Sequence, residues 1–275
     1  MMWILLAAAL LVLQFNKKIS LGLLLVTVVW GAVDGVLDWR ALASLAIITA
    51  LAVAYLKAAN RKPVRYVLEF LLVAAAVALT IHVIPGFHNP KVLDSVTAGP
   101  QSARFSMYYN FDKALVPFIL LVMMKSLFVS EPKYQPAKLW WNLLIALIPG
   151  LLLLAVALGG LKIEPHFPQW LPPFLFANIF FVSLAEEALF RGYLQQRLSG
   201  FMHPVVALII SAAIFGALHF AGGPLLIVFA ALAGLIYGLA WMWSGRLWVA
   251  VAFHVGLNMT HLLLFTYPVL QHSVH

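Results

Sequence analysis

Stretches of about 17 to 25 mostly apolar residues, each long enough to cross roughly 30 Å of hydrocarbon, recur along almost the whole chain. Nothing in hydrocarbon can satisfy a free backbone N–H or C=O, so such stretches must fold as helices. An all-α, polytopic integral membrane protein is therefore expected. With 64% hydrophobic and 9% charged residues among 275, little is left over for a soluble domain. Ten spans are read at residues 2–15, 19–33, 41–56, 66–85, 114–130, 139–161, 173–197, 204–220, 224–243 and 247–267, with a buried polar cavity expected in the C-terminal half. The first 15 residues look like a signal-peptide core. No small-residue cleavage site follows, and Asn16-Lys17-Lys18 stands on the wrong side of it, so a retained first span is expected.

The formal charge of +8 has a topological explanation that needs no nucleic acid. With the N-terminus outside, the cytoplasmic segments hold Lys17, Lys18, Lys57, Arg61, Lys62, Arg65, Lys133, Lys138, Arg197 and Arg246 against Glu131, ten charges less one, or +9. The other side holds Arg40, Lys91, Arg104, Lys113 and Lys162 against Asp34, Asp38, Asp94, Asp112 and Glu164, which cancel. Both termini are thus expected outside, in a bacterial inner (cytoplasmic) membrane. Trp140, Trp141, Trp241, Trp243 and Trp248 at inner ends, and Trp39, Tyr108, Tyr109 and Trp170 at outer ends, read as interfacial anchors. The loop 86–113, polar and punctuated by Pro and Gly, reads as a connector rather than a substrate gate. No internal repeat is visible. The chain has no cysteine, which removes disulfides and thiolate chemistry.

Most ionisable groups fall in loops or near span ends. Glu69 and Lys125 lie close enough to a cytoplasmic end to snorkel, and His82, His166, His203, His272 and His275 read as structural or surface residues. Inside the membrane remain Glu186, Glu187, Arg191, His219, His254, Asn258 and His261, all on the last four spans. An ionised group at mid-bilayer costs about 2.5–3.5 kcal/mol even on lenient scales, so these residues need partners or use. Glu187 and Arg191 are spaced i, i+4 with the acid first, the favourable order for a helical ion pair. Glu186 points about 100° away, with no counter-charge in reach of that pair, and a raised-pKa general base is expected there. Counting helical rise from the turn after residue 198 brings Glu186 and His219 to one level, and His254 and Asn258 share a face. Acid, imidazole and amide are expected to converge on one cavity. His261 shares a face with His254, and a structural role is expected for it.

In order, the residues are Glu186-Glu187-Ala-Leu-Phe-Arg191, Phe215-Gly-Ala-Leu-His219 and His254-Val-Gly-Leu-Asn258. This set resembles the EExxxR, FxxxH and HxxxN motifs of the CAAX prenyl protease and bacteriocin-processing family of intramembrane proteases. The resemblance implies an intramembrane endopeptidase of the glutamic type acting on a membrane-associated protein or peptide. It implies Glu186 as the activator of water with His219, His254 and Asn258 as stabilisers of the oxyanion, and Glu187 and Arg191 as support. It extends over residues 173–258, within a protease-like core of 136–275, and gives residues 1–135 no role. Two histidines and a glutamate would make a reasonable zinc shell, but HExxH is absent and the family's glutamate mechanism needs no metal, so no cofactor is expected. The family name does not establish a prenylated substrate. The rival readings are an ion- or proton-coupled transporter, and an inactive protease-like binding or immunity protein.

Overall fold

The computed structural model describes residues 1–271; His272 and His275 lie outside them. The helices are α1 (Met2–Val12), α2 (Lys17–Val33), α3 (Trp39–Lys57), α4 (Lys62–Thr80), α5 (Phe111–Ala114), α6 (Val116–Met123), α7 (Lys138–Ala157), α8 (Leu171–Leu198), α9 (Pro204–Ala217), α10 (Gly223–Ser244) and α11 (Leu247–Leu264). Polar residues punctuate the apolar runs. The Asn16 side-chain Oδ1 accepts from the Lys18 and Ile19 amides to start α2, and the Asp38 carboxylate does the same for α3 from Arg40 and Ala41. Gly245, in the left-handed region, ends α10.

Six helices, α3, α4, α7, α8, α10 and α11, are long and apolar enough to cross a membrane. The other expected spans form shorter helices. The run at 114–130 departs most: its helix stops at Met123, and the chain leaves it through a turn, in which the Leu127 amide donates to the Met124 carbonyl, that carries the buried Leu127 and Phe128. Non-helical backbone at that depth must be covered by protein. Here α8 covers it at Gly192, where a Cβ would fall 3.1 Å from the Leu127 carbonyl oxygen.

The α8 span is the most enclosed of the six, with 61% of its most apolar stretch inside the protein against 17% in α3. The short α1 also packs inward. Leu6 and Leu10 are fully buried, the Ser20 hydroxyl donates to the Ala9 carbonyl at 2.6 Å, and Trp3 meets Tyr109, Phe111 and Phe181 edge to face. The expected anchor roles divide accordingly. Trp39 and Trp140 are exposed, whereas Trp241 is buried in the core and Tyr109 belongs to the α1–α8 aromatic cluster. Glu69 does not snorkel; it is buried, accepting from the Tyr193 hydroxyl and from Arg197, each at 2.7 Å.

The loop 86–113 is not purely irregular. It carries the antiparallel pair β1 (Lys91–Val96) and β2 (Phe105–Tyr108), the one sheet among the described residues, so the all-α expectation needs this addition. Near its tip, the Lys91 ammonium and the Ser95 and Ser106 hydroxyls hold the Asp94 carboxyl below its usual range. The hairpin is built into the rest of the fold. Glu164 accepts from the Gln101 amide at 2.7 Å and from the Ser102 hydroxyl at 2.6 Å, and Phe105 packs on Trp170 and Tyr267.

Candidate active site

The three motifs lie on α8, at the end of α9 and on α11. Within α8, two wide π-type stretches, Asn178–Ser183 and Ala188–Gln195, bracket the α-helical turn Leu184–Glu187 that carries both acids. Such insertions re-aim side chains and concentrate at functional sites. The Ser211 hydroxyl from α9 donates to the Phe190 carbonyl at 2.9 Å, satisfying a polar backbone group within the second stretch.

The expected i, i+4 pair forms: Arg191 Nη1 donates to Glu187 Oε1 at 2.9 Å, with both side chains at 0% exposure. The second arm of the guanidinium donates to the Gly234 carbonyl on α10 at 2.9 Å, and Gln195 one turn on reaches the Gly238 carbonyl at 3.1 Å. Glycine makes this possible, since a Cβ at Gly234 would fall 3.1 Å from Arg191 Nη2 and crowd the carbonyl's second acceptor site. The guanidinium also lies 4.6 Å from the Phe215 ring centroid and 5.2 Å from that of Tyr237. Arg191 thereby binds α8, α9 and α10 together.

His254 meets Glu187 rather than Glu186: its Nδ1 donates to Glu187 Oε1 at 2.8 Å, while its ring stacks on Tyr237 at 4.6 Å. A carboxylate beside Arg191 only accepts, so the Nδ1 of His254 carries the hydrogen. His219 has its Nδ1 2.8 Å from the Phe215 carbonyl oxygen, which likewise places the hydrogen on Nδ1 and leaves Nε2 as a lone pair.

Asn258 donates from Nδ2 to Asn178 Oδ1 at 2.8 Å, and Asn178 donates in turn to the Phe174 carbonyl at 3.1 Å. The second Asn258 N–H stays available. Asn178, a neutral amide eight residues before Glu186, lies outside the three motifs and is absent from the residues expected at the site. The signal was an Asn inside an apolar span.

The expectation that Glu186 lacks a counter-charge is overturned. Lys113, on the short α5, places its Nζ 3.2 Å from Glu186 Oε1, with both side chains largely buried. The charge count places Lys113 among outer-side charges that cancel as a set, and the resemblance gives residues 1–135 no role. Lys113, His254 and His219 all lie near enough to act on Glu186 electrostatically.

A cavity of about 280 Å³ opens beside these groups. His219, His254, Asn258, Tyr237 and His261 face it from one side, and Leu151, Leu225 and Phe229 are among the apolar groups completing it, so it is less polar than expected. Glu186 is not part of this wall. His261 is held by a bond from Nε2 to the Thr266 carbonyl at 3.1 Å, in keeping with a structural role. Among the described residues, no three His, Asp or Glu side chains converge as a metal-binding set. Both motif histidines commit Nδ1, to the Phe215 carbonyl and to Glu187, which leaves Nε2 as the free nitrogen of each ring.

No curated protein and no solved structure shows significant similarity to the chain. Residues 168–260, which contain all three motifs and run from just before α8 into α11, match the family model described as type II CAAX prenyl endopeptidase Rce1-like.

Proposed function

We propose that this protein is an intramembrane endopeptidase that hydrolyses a peptide bond of a membrane-associated protein or peptide with water activated by Glu186 and His219. The observation that carries the reading is the meeting of three separated motifs: His254 bonds to Glu187 at 2.8 Å while His219, His254 and Asn258 face one cavity. A water between Glu186 and the free Nε2 of His219 gives up its proton as it attacks the carbonyl carbon; the proton passes to the leaving amine. The free Nδ2–H of Asn258 stabilises the developing oxyanion. Because its Nδ1–H is committed to Glu187, His254 can donate to the oxyanion from Nε2 only as the imidazolium. The mainly apolar wall suits an apolar segment of substrate.

Ten crossings with both termini outside belong to the same proposal. Contacts between connecting segments support it, because they join segments assigned to one side. Val129 pairs with Arg246 on the basic face, while Leu37 pairs with Phe87, Ile163 with Phe265 and Ser102 with Leu270 on the other. Glu69 and Arg197 likewise meet near the basic face.

The test uses the purified protein in lipid. Membrane proteins truncated only in cells that carry this chain identify the substrate, which is then cleaved in vitro by the parent and by Glu186→Gln. The variant is expected to lose about 10²- to 10⁴-fold in rate, the usual contribution of a general base. Near-parental cleavage by Glu186→Gln overturns the assignment of the base, and vectorial ion movement in liposomes without any cleavage favours the transporter instead.

A further inference from the structure

We infer that Lys113 is a positioning residue of the site: from outside the family-matched segment, its ammonium holds Glu186 as a carboxylate and aims it. This rests on Glu186 being the base, and it follows from how the charges are distributed. Two acids stand side by side on α8, with one arginine beside them. Both arms of Arg191 are occupied, by Glu187 and by the Gly234 carbonyl. Glu186 therefore needs its own cation to stay ionised in a largely dry site. Lys113 supplies it at 3.2 Å.

The neighbourhood of Lys113 leaves its ammonium little else to do. The adjacent Asp112, 2% exposed, is the natural competitor, but its oxygens are already engaged. Oδ2 faces His82 Nδ1 at 2.6 Å, and Oδ1 accepts from Asn89 Nδ2 at 3.0 Å and from the Lys113 amide at 2.9 Å. Asn89 also accepts from the Phe111 amide at 2.8 Å. The turn carrying Lys113 is thus clamped at its backbone while its side chain points to α8. The titratable and charged groups facing Glu186 are Glu187 and Arg191 on its own helix, Asp112 and Lys113 from α5, His219 after α9, Tyr237 on α10 and His254 on α11. Of these, Lys113 alone bonds to it directly.

The test compares the parent, Lys113→Met and Lys113→Arg by two readouts. Infrared spectroscopy needs no substrate: at neutral pH the C=O stretch of a protonated carboxylic acid, absent from the parent, is expected to appear in Lys113→Met and to vanish when Glu186→Gln is added. In the cleavage assay, the acidic limb of the pH–rate profile of Lys113→Met is expected to move up by about one to three pH units, the usual effect of an adjacent opposite charge, while Lys113→Arg stays near the parent. Lys113→Gln serves where Met lowers the yield of folded protein. No new band in either neutral variant overturns the inference. So does faster cleavage with an unchanged profile, which would make Lys113 a latch. A parent that cleaves nothing refutes the protease reading, and the infrared band then decides on its own whether Lys113 keeps Glu186 ionised.

Discussion

Replacing Arg191 with Met tests whether the buried pair holds the site together. Arg191 and Glu187 are both at 0% exposure, so the variant leaves a carboxylate that no solvent reaches with His254 as its remaining partner. Breaking such a pair from one side costs about 3–5 kcal/mol. The lost contact with the Phe215 ring at 4.6 Å adds about 0.5–2 kcal/mol. For a chain of this size each kcal/mol moves the midpoint by about 2–4 °C, so a fall of roughly 10 °C or more is expected. Thermal denaturation in detergent, followed by the fraction remaining monodisperse, measures it. Arg191→Lys should fall between, because one ammonium cannot reach both Glu187 and the Gly234 carbonyl as the planar fork does. The decisive comparison is Glu187→Gln with Arg191→Met. It removes both charges at once, and it should be more stable than the two single losses summed by at least about 2 kcal/mol. Additive losses, or a shift of under about 3 °C in the single variant, would refute the argument that this pair is desolvated and coupled.

Asn178→Ala releases Asn258 from its 2.8 Å bond, and it should lower the cleavage rate by about tenfold or more with little change in KM, since a misaimed oxyanion donor is felt in the transition state. Cleavage by the parent should survive exhaustive chelation; stoichiometric zinc whose removal abolishes activity and whose return restores it would reassign Glu186, His219 and His254 as ligands. A periplasmic-type reporter fused at the C-terminus should be active and one placed in the turn between α3 and α4 inactive, the reverse pattern overturning the proposed orientation.

The sequence alone determined the membrane environment, the helical class and the short-range pairing. Each follows from local properties: run length against bilayer thickness, the ban on unsatisfied backbone in hydrocarbon, and the one-turn spacing of Glu187 and Arg191. Motif order likewise pointed to the segment that the family comparison matches at residues 168–260. What sequence did not reach is long-range. Lys113 lies 73 residues before Glu186 and reads as a loop charge until α5 is clamped against α8. Glu69, 128 residues before Arg197, reads as a snorkelling acid until α4 packs beside α8. The choice of Glu187 over Glu186 as the partner of His254 depends on how the widened turns of α8 rotate its two acids, which helical counting at a regular pitch does not capture. The same holds for the run at 114–130. Its hydropathy is that of a span, yet Leu127 sits in a non-helical turn against the notch left by Gly192, because a neighbouring helix already shields it from lipid. A local pattern reports which solvent a segment can tolerate, and the packed structure decides which neighbour supplies each charge with its partner.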